Sequence, residues 1–271
     1  MNGQLPLVKQ AMLIIQSSQS PRHHLTPLPK KALSRTADRE AETMAPGEAE
    51  EGQTQPERRP RIICLHGFRT SGKILRTLVE RWHESILQKL DLVFLDGPYP
   101  AQGKSAVEGI FDPPYYEWFQ ANEDFTEYAN LEECLRYIES YMLENGPFDG
   151  FLGFSQGGLL AAALPGIQAQ GLALTKVPKI KFLIIISGAK FGGSKFGMPP
   201  IAANAFSSPI RCPSLHFIED QTSFMSSEGI ALLDSFVEPV VIHHAQKHTV
   251  PRLDDRSEET MLRFIEKITN I

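Results

Sequence analysis

The sequence predicts an α/β fold, a mostly parallel central sheet with helices on both faces. Three observations carry that expectation. From Arg61 onward, short apolar runs alternate with amphipathic stretches, which is how successive β-α-β units read. Six of those runs are rich in Ile, Val, Leu or Phe and close on Gly, Pro or a polar residue, as strands covered on both faces do. The stretches between them return apolar residues at helical spacing.

In chain order, the first strand is expected at Ile62–His66. One helix should fill Ser71–Leu90, because Ile74, Leu78, Trp82, Ile86 and Leu90 recur every four residues on one face. Leu92–Leu95 is the second strand. Gly109–Tyr128, with Phe111, Tyr115, Tyr116, Trp118, Phe119 and Phe125, has too little helical period for an amphipathic helix. It is expected to line an acyl pocket through Tyr115, Tyr116 and Trp118, or else to pack as a long surface loop. Asn130 and Glu133 resemble a capping box for a helix that turns Leu131, Cys134, Leu135, Ile138 and Met142 inward and stops at Gly146. The strand Gly150–Phe154 runs into a helix-forming stretch, Gln156–Leu164, that precedes Pro165. Phe182–Ser187, Ser214–Ile218 and Val240–His243 are the remaining strands, and Ser257 caps a last helix that buries Met261, Phe264, Ile265 and Ile268.

Residues 1–59 read differently, as a disordered or targeting segment ahead of a domain over 60–271. Positions 1–37 hold five Lys or Arg and no acid, and the segment turns acidic from Asp38 to Glu57. Its apolar cluster Ala11–Ile15 is too short for a secretory core, and an organelle transit peptide is the alternative to a plain unfolded tail. Met44 is a candidate second start, and a chain beginning there is expected to fold.

The net charge of −5 offers no broad basic field, so a nucleic-acid partner is not expected. Cys64, Cys134 and Cys212 are far apart and odd in number, forming neither a disulfide framework nor a metal knuckle. A reducing cytoplasmic or nuclear compartment suits them. The longest apolar run, Phe182–Ile186, is far short of the about 20 residues that span a bilayer, so no membrane partner is expected.

The chemistry concentrates at Gly153-Phe-Ser-Gln-Gly157, where a strand meets a helix. A serine on so tight a turn takes a strained backbone, tolerable only where the residues two before and two after lack side chains. Gly153 and Gly157 meet that demand. The first helical turn then sets backbone N–H groups beside Ser155, with Gln156 N–H as one oxyanion donor and Phe68 N–H, in the His66-Gly-Phe-Arg69 turn, as the other. His66 reads as a structural anchor of that turn. A serine nucleophile needs a base late in the chain, and His248 follows the last strand; His243 and His244 are rivals inside or at the end of it.

These residues resemble a known family. Leu65–Gly72, Gly97-Pro98, Pro113–Trp118, Gly153–Gly158, Pro213–Ile218 and His248–Pro251 are similar, in the same order, to the FSH-type eukaryotic serine hydrolases that include ovarian-cancer-associated protein 2, in the plant branch. The likeness covers about residues 60–271. It implies an α/β-hydrolase fold and a Ser-Asp-His triad with esterase activity, Ser155 as nucleophile and His248 as base.

The acid departs from the family pattern. The position that should hold it is Thr222, in Glu219-Asp-Gln-Thr222. Either the loop shifts and Asp220 takes the role, or Thr222 leaves a Ser-His dyad, or activity is largely lost. Asp220 is the expected acid because it follows the strand directly; Glu219 stays open. The sequence-based reading is a carboxylic-ester hydrolase acting on a small acyl ester, without metal or organic cofactor. The alternatives are a thioesterase with the same apparatus and a decayed hydrolase that only binds ligand.

Overall fold

The computed structural model describes residues 58–220 and 224–271. The leader expected over 1–59, with its Met44 start, lies outside the described residues except for Arg58 and Arg59.

Six strands form one sheet in the order β10-β9-β8-β7-β1-β2, every neighbouring pair parallel. They are β1 (Arg61–Leu65), β2 (Asp91–Leu95), β7 (Gly150–Phe154), β8 (Phe182–Ile186), β9 (Ser214–Glu219) and β10 (Val240–His244). All six expected strands are present, with their ends moved by at most one residue. Four two-residue strands, β3 (Tyr99–Pro100), β4 (Tyr116–Glu117), β5 (Gln120–Ala121) and β6 (Tyr128–Ala129), pair antiparallel in the connection between β2 and the next long helix.

Alternation along β1 shows why the sheet is covered twice. Ile63 and Leu65 join a core with α3 (Leu131–Asn145), α4 (Gln156–Ala169) and α5 (Phe224–Leu233). Ile62 and Cys64 join a second core with α1 (Gly72–Val79), α2 (Glu84–Leu87) and α6 (Asp255–Thr269). Burial pushes the Cys64 and Cys134 thiols well above the ordinary thiol range, so both behave as apolar filling.

Four expectations about helices change. The single helix over Ser71–Leu90 is two short ones, α1 and α2, broken at Glu80–His83. A twenty-residue helix would run about 30 Å, far beyond the five-residue strand it must return to, so the chain turns while Trp82, Ile86 and Leu90 stay buried. Asn130 sits at the start of α3 in the left-handed region (φ 64°) and makes no side-chain cap; its amide bonds Gln120 instead. The inward residues and the stop at Gly146 are as expected. Asp254, not Ser257, caps α6, its carboxylate accepting from Ser257 N–H at 2.9 Å. Pro165 does not end α4, because Gly166 is pressed against the Ala205 backbone and Ile167 is fully buried, which holds the next turn in place.

Candidate active site

Three chain segments end at the carboxyl edge of the sheet, where open α/β sheets hold their sites. β7 ends on Phe154, and Ser155 follows with φ 54° and ψ −112°, a conformation that costs on the order of 1–3 kcal/mol. Carbonyls on both sides hold it. Ser155 N–H donates to Ile186 O at 3.0 Å and Gly157 N–H to His66 O at 3.1 Å. A Cβ on Gly153 would collide with the Gly157 carbonyl, and one on Gly157 with the Leu65 carbonyl. The expected requirement for glycine at both positions therefore has a steric cause.

His248 Nε2 lies 2.9 Å from Ser155 Oγ, and its Nδ1 lies 3.1 Å from Glu219 Oε1. The imidazole and the carboxylate are both buried, at 6% and 5% side-chain exposure. Glu219 is the last residue of β9, not part of the loop after it. The Ser187 hydroxyl donates to the same Oε1 at 3.3 Å, and Ser226 Oγ donates to the Glu219 carbonyl at 2.7 Å.

Asp220 is not placed against His248. Successive strand residues point to opposite faces, so a chain that aims Glu219 inward aims Asp220 outward. Asp220 pairs with His243 at 3.5 Å, both about half exposed, and its N–H donates to the His244 carbonyl. Thr222 lies outside the described residues. His243 thus faces away from the serine, and His244, buried opposite Glu219 on the paired strand, has its pKa lowered chiefly by burial.

The loop that carries His248 is fastened from α1's end. Arg81 donates to the Val250 carbonyl and Trp82 Nε1 to the Pro251 carbonyl, the latter at 2.9 Å. The Phe154 ring packs 5.2 Å from the imidazole.

Phe68 and Gln156 both border the serine, and neither backbone N–H meets an acceptor among the described residues. Their loop is built from the inside. His66 is fully buried; its Nε2 accepts from Gly97 N–H at 2.9 Å, which leaves Nδ1–H for the Gly67 carbonyl at 2.8 Å. Burial lowers its pKa to about 4. This is the structural anchor expected from the sequence. Arg69 binds the buried Glu117 at 2.7 Å, and Gln102 N–H donates to the same oxygen. The Gln156 side chain accepts from Trp118 N–H and donates to the Phe119 carbonyl, tying the aromatic stretch to the first turn of α4. Glu117 and the Gln156 amide went unnoticed in the sequence, since nothing local marks either as bonded at long range.

A narrow apolar cleft opens from Ser155, walled by Phe68, Phe119, Phe125, Leu159, Phe196 and Met225. Tyr115, Tyr116 and Trp118 do not line it. Trp118 is fully buried with Nε1 on the His66 carbonyl, Tyr115 bonds the Phe111 carbonyl, and Tyr116 pairs with β3. The aromatic stretch does supply wall residues, but they are Phe119 and Phe125. Among the described residues no group of three or more His, Cys, Asp or Glu could hold a metal ion, and no helix is long and apolar enough to cross a membrane.

Two buried imidazoles set an acid limit on stability. Burial lowers the His66 pKa to about 4 and that of His216 to about 3, whereas an unfolded imidazole titrates at about 6.5. Below about pH 6.5 the unfolded chain therefore binds protons that the folded chain refuses. Stability is full above that pH and falls as pH drops toward 4, by several kcal/mol in order of magnitude. Urea unfolding at pH 7, 5.5 and 4.5 should show a steadily falling midpoint; a midpoint flat over that range would contradict it.

A parallel sheet with a serine after β7, a carboxylate at the end of β9 and a histidine after β10, all at its carboxyl edge, defines an α/β-hydrolase. Residues 56–260 match the family described as Serine hydrolase (FSH1), and the chain belongs to it. "Esterase OVCA2" of Mus musculus is 29% identical over 225 residues, covering 76% of this chain and 96% of that protein. "Esterase C25G4.2" of Caenorhabditis elegans is 31% identical over 212 residues, covering 73% and 90%. Among solved structures, Zea mays acyl-protein thioesterase 2 shares the fold at a TM-score of 0.50 and 16% identity, over 79% of this chain and 96% of that one.

Proposed function

We propose that the protein hydrolyses carboxylic esters through an acyl-enzyme on Ser155. The observation that supports this most is the continuous path from Glu219 through His248 to Ser155, at 3.1 and 2.9 Å. With the proton on Nδ1 facing Glu219, Nε2 is free to accept from Ser155 Oγ. Ser155 Oγ then attacks the ester carbonyl carbon while Nε2 takes its proton. The negative charge that forms on the carbonyl oxygen is met by the Phe68 and Gln156 N–H groups. As the carbon–oxygen bond breaks, Nε2 returns the proton to the leaving alcohol, and water repeats the cycle on the acyl-serine.

The same apparatus would cleave a thioester. Ester is preferred because the curated relatives are described as esterases. The alternative of a decayed ligand-binding protein rests on the threonine at position 222, and the buried Glu219 carboxylate beside His248 supports the working enzyme over it.

A fluorophosphonate probe tests the proposal. One covalent adduct is expected, on the peptide that contains Ser155. Folded protein that stays unlabelled would overturn the reading.

A further inference from the structure

Gly67 to Thr70 form a turn closed by Thr70 N–H, which donates to the Gly67 carbonyl at 3.3 Å. Arg69, the second central residue, has φ 51°, at a place where a turn with positive φ usually carries glycine. A residue with a side chain persists there only when its surroundings over-determine it, and such residues gather at functional sites.

We propose that Thr70 and Glu117 are positioning residues for the reaction, and that they act by aiming the Phe68 N–H at the oxyanion. The proposal rests on the ester-hydrolase reading and adds what holds one of its two donors in place. Neither residue lines the cleft beside Ser155, so each acts through Phe68 rather than by touching a substrate.

Peptide planarity links Thr70 to that N–H. A trans peptide points its N–H opposite to its C=O, so whatever holds the Gly67 carbonyl also sets the direction of Phe68 N–H. The carbonyl receives the Thr70 hydroxyl at 2.8 Å, His66 Nδ1–H at 2.8 Å and the Thr70 N–H. All three come from buried residues, His66 fully and Thr70 at 8% exposure. Phe68 N–H is thereby turned away from them. A Cβ on Gly67 would stand 3.5 Å from Ser155 Cβ, which puts this peptide directly against the nucleophile.

Glu117 secures the other flank of the donor. Its buried carboxylate accepts from Arg69 Nε at 2.7 Å and from Gln102 N–H at 3.2 Å. The Arg69 guanidinium also lies over the Phe68 ring, 4.6 Å from its centroid. Ser105 Oγ donates to the Arg69 carbonyl at 2.6 Å, and Tyr116 N–H, one residue before Glu117, donates to the Thr70 carbonyl at 2.7 Å. Arg69 cannot leave its positive φ without exposing a buried carboxylate to the loss of its cation, which is strongly unfavourable.

4-Nitrophenyl butyrate and its thionoester, in which sulfur replaces the carbonyl oxygen, test the assignment. Sulfur is a weak acceptor, so an aimed N–H favours the oxygen ester. Thr70→Val sets a methyl where the hydroxyl donates and should lower kcat for the oxygen ester about tenfold, with KM within about twofold. The oxygen-to-sulfur ratio of kcat/KM should fall at least threefold. Thr70→Ser should restore both quantities, and Glu117→Gln should repeat the Thr70→Val pattern. The pH dependence of kcat should keep its midpoint throughout, because His248 and Glu219 are untouched. Circular dichroism confirms that each variant is folded; should Thr70→Val fail to fold, Glu117→Gln decides by the same readouts. Folded variants that keep kcat within twofold of wild type, or that lose rate equally on both esters, would overturn the positioning role while leaving the hydrolase reading intact. Wild type that turns over neither ester would overturn both.

Discussion

Ser155→Ala is expected to lower kcat about 10⁶-fold for any ester that the wild type hydrolyses, the scale seen when a triad nucleophile is removed. The loss should fall on kcat more than on KM, because the other walls of the apolar cleft beside Ser155 are unchanged. A residual rate above buffer should remain, since the Phe68 and Gln156 amides still favour charge on a carbonyl oxygen. Steady-state kinetics with an ester and a fluorophosphonate labelling gel on the same preparation check it. A rate within tenfold of wild type would move the nucleophile elsewhere.

The second large effect separates two adjacent acids. Glu219→Gln should cost about 10⁴ in kcat, as expected when a carboxamide replaces the carboxylate behind a catalytic histidine. The amide can donate to Nδ1, which favours the tautomer carrying its proton on Nε2, where it blocks acceptance from Ser155 Oγ. The Ser187 hydroxyl, 3.3 Å from the same oxygen, can accept from the amide N–H as readily as it donates to the carboxylate, so it leaves that orientation open. Asp220→Asn, at a half-exposed site on the opposite side of the strand, should leave kcat within twofold. Equal losses in the two variants, or a loss confined to Asp220→Asn, would refute the assignment of Glu219.

How much of this was legible in the sequence follows from how local each signal is. The glycines around Ser155 announce the turn because a steric demand acts within five residues. The strands were legible because burial on both faces leaves unbroken apolar runs. Glu219 was weighed below its neighbour because the family pattern pointed beyond the strand, and a strand end cannot be placed to one residue from composition. Which of two consecutive acids points inward depends on that single residue. The pocket residues failed for a related reason. Trp118 and Phe119 are equally aromatic, and long-range bonds set which ring lies beneath His66 and which faces the cleft: the Gln156 amide to the backbone of both, and Trp118 Nε1 to the His66 carbonyl. The break after α1 was hidden because buried residues keep their fourfold spacing through a turn.

The turn that carries Ser155 is held on one side by a carbonyl at the end of β8, which takes the Ser155 N–H, and on the other by one just past β1, which takes the Gly157 N–H, from the strands on either side of β7. Strand register is therefore a condition of reactivity: a slip of one residue on either side would present the wrong carbonyl and release the serine into an ordinary, unreactive turn. Recovery of turnover during refolding should for that reason report the moment at which the middle of the sheet is correctly aligned, and ester hydrolysis becomes a timer for the assembly of the fold as well as its output.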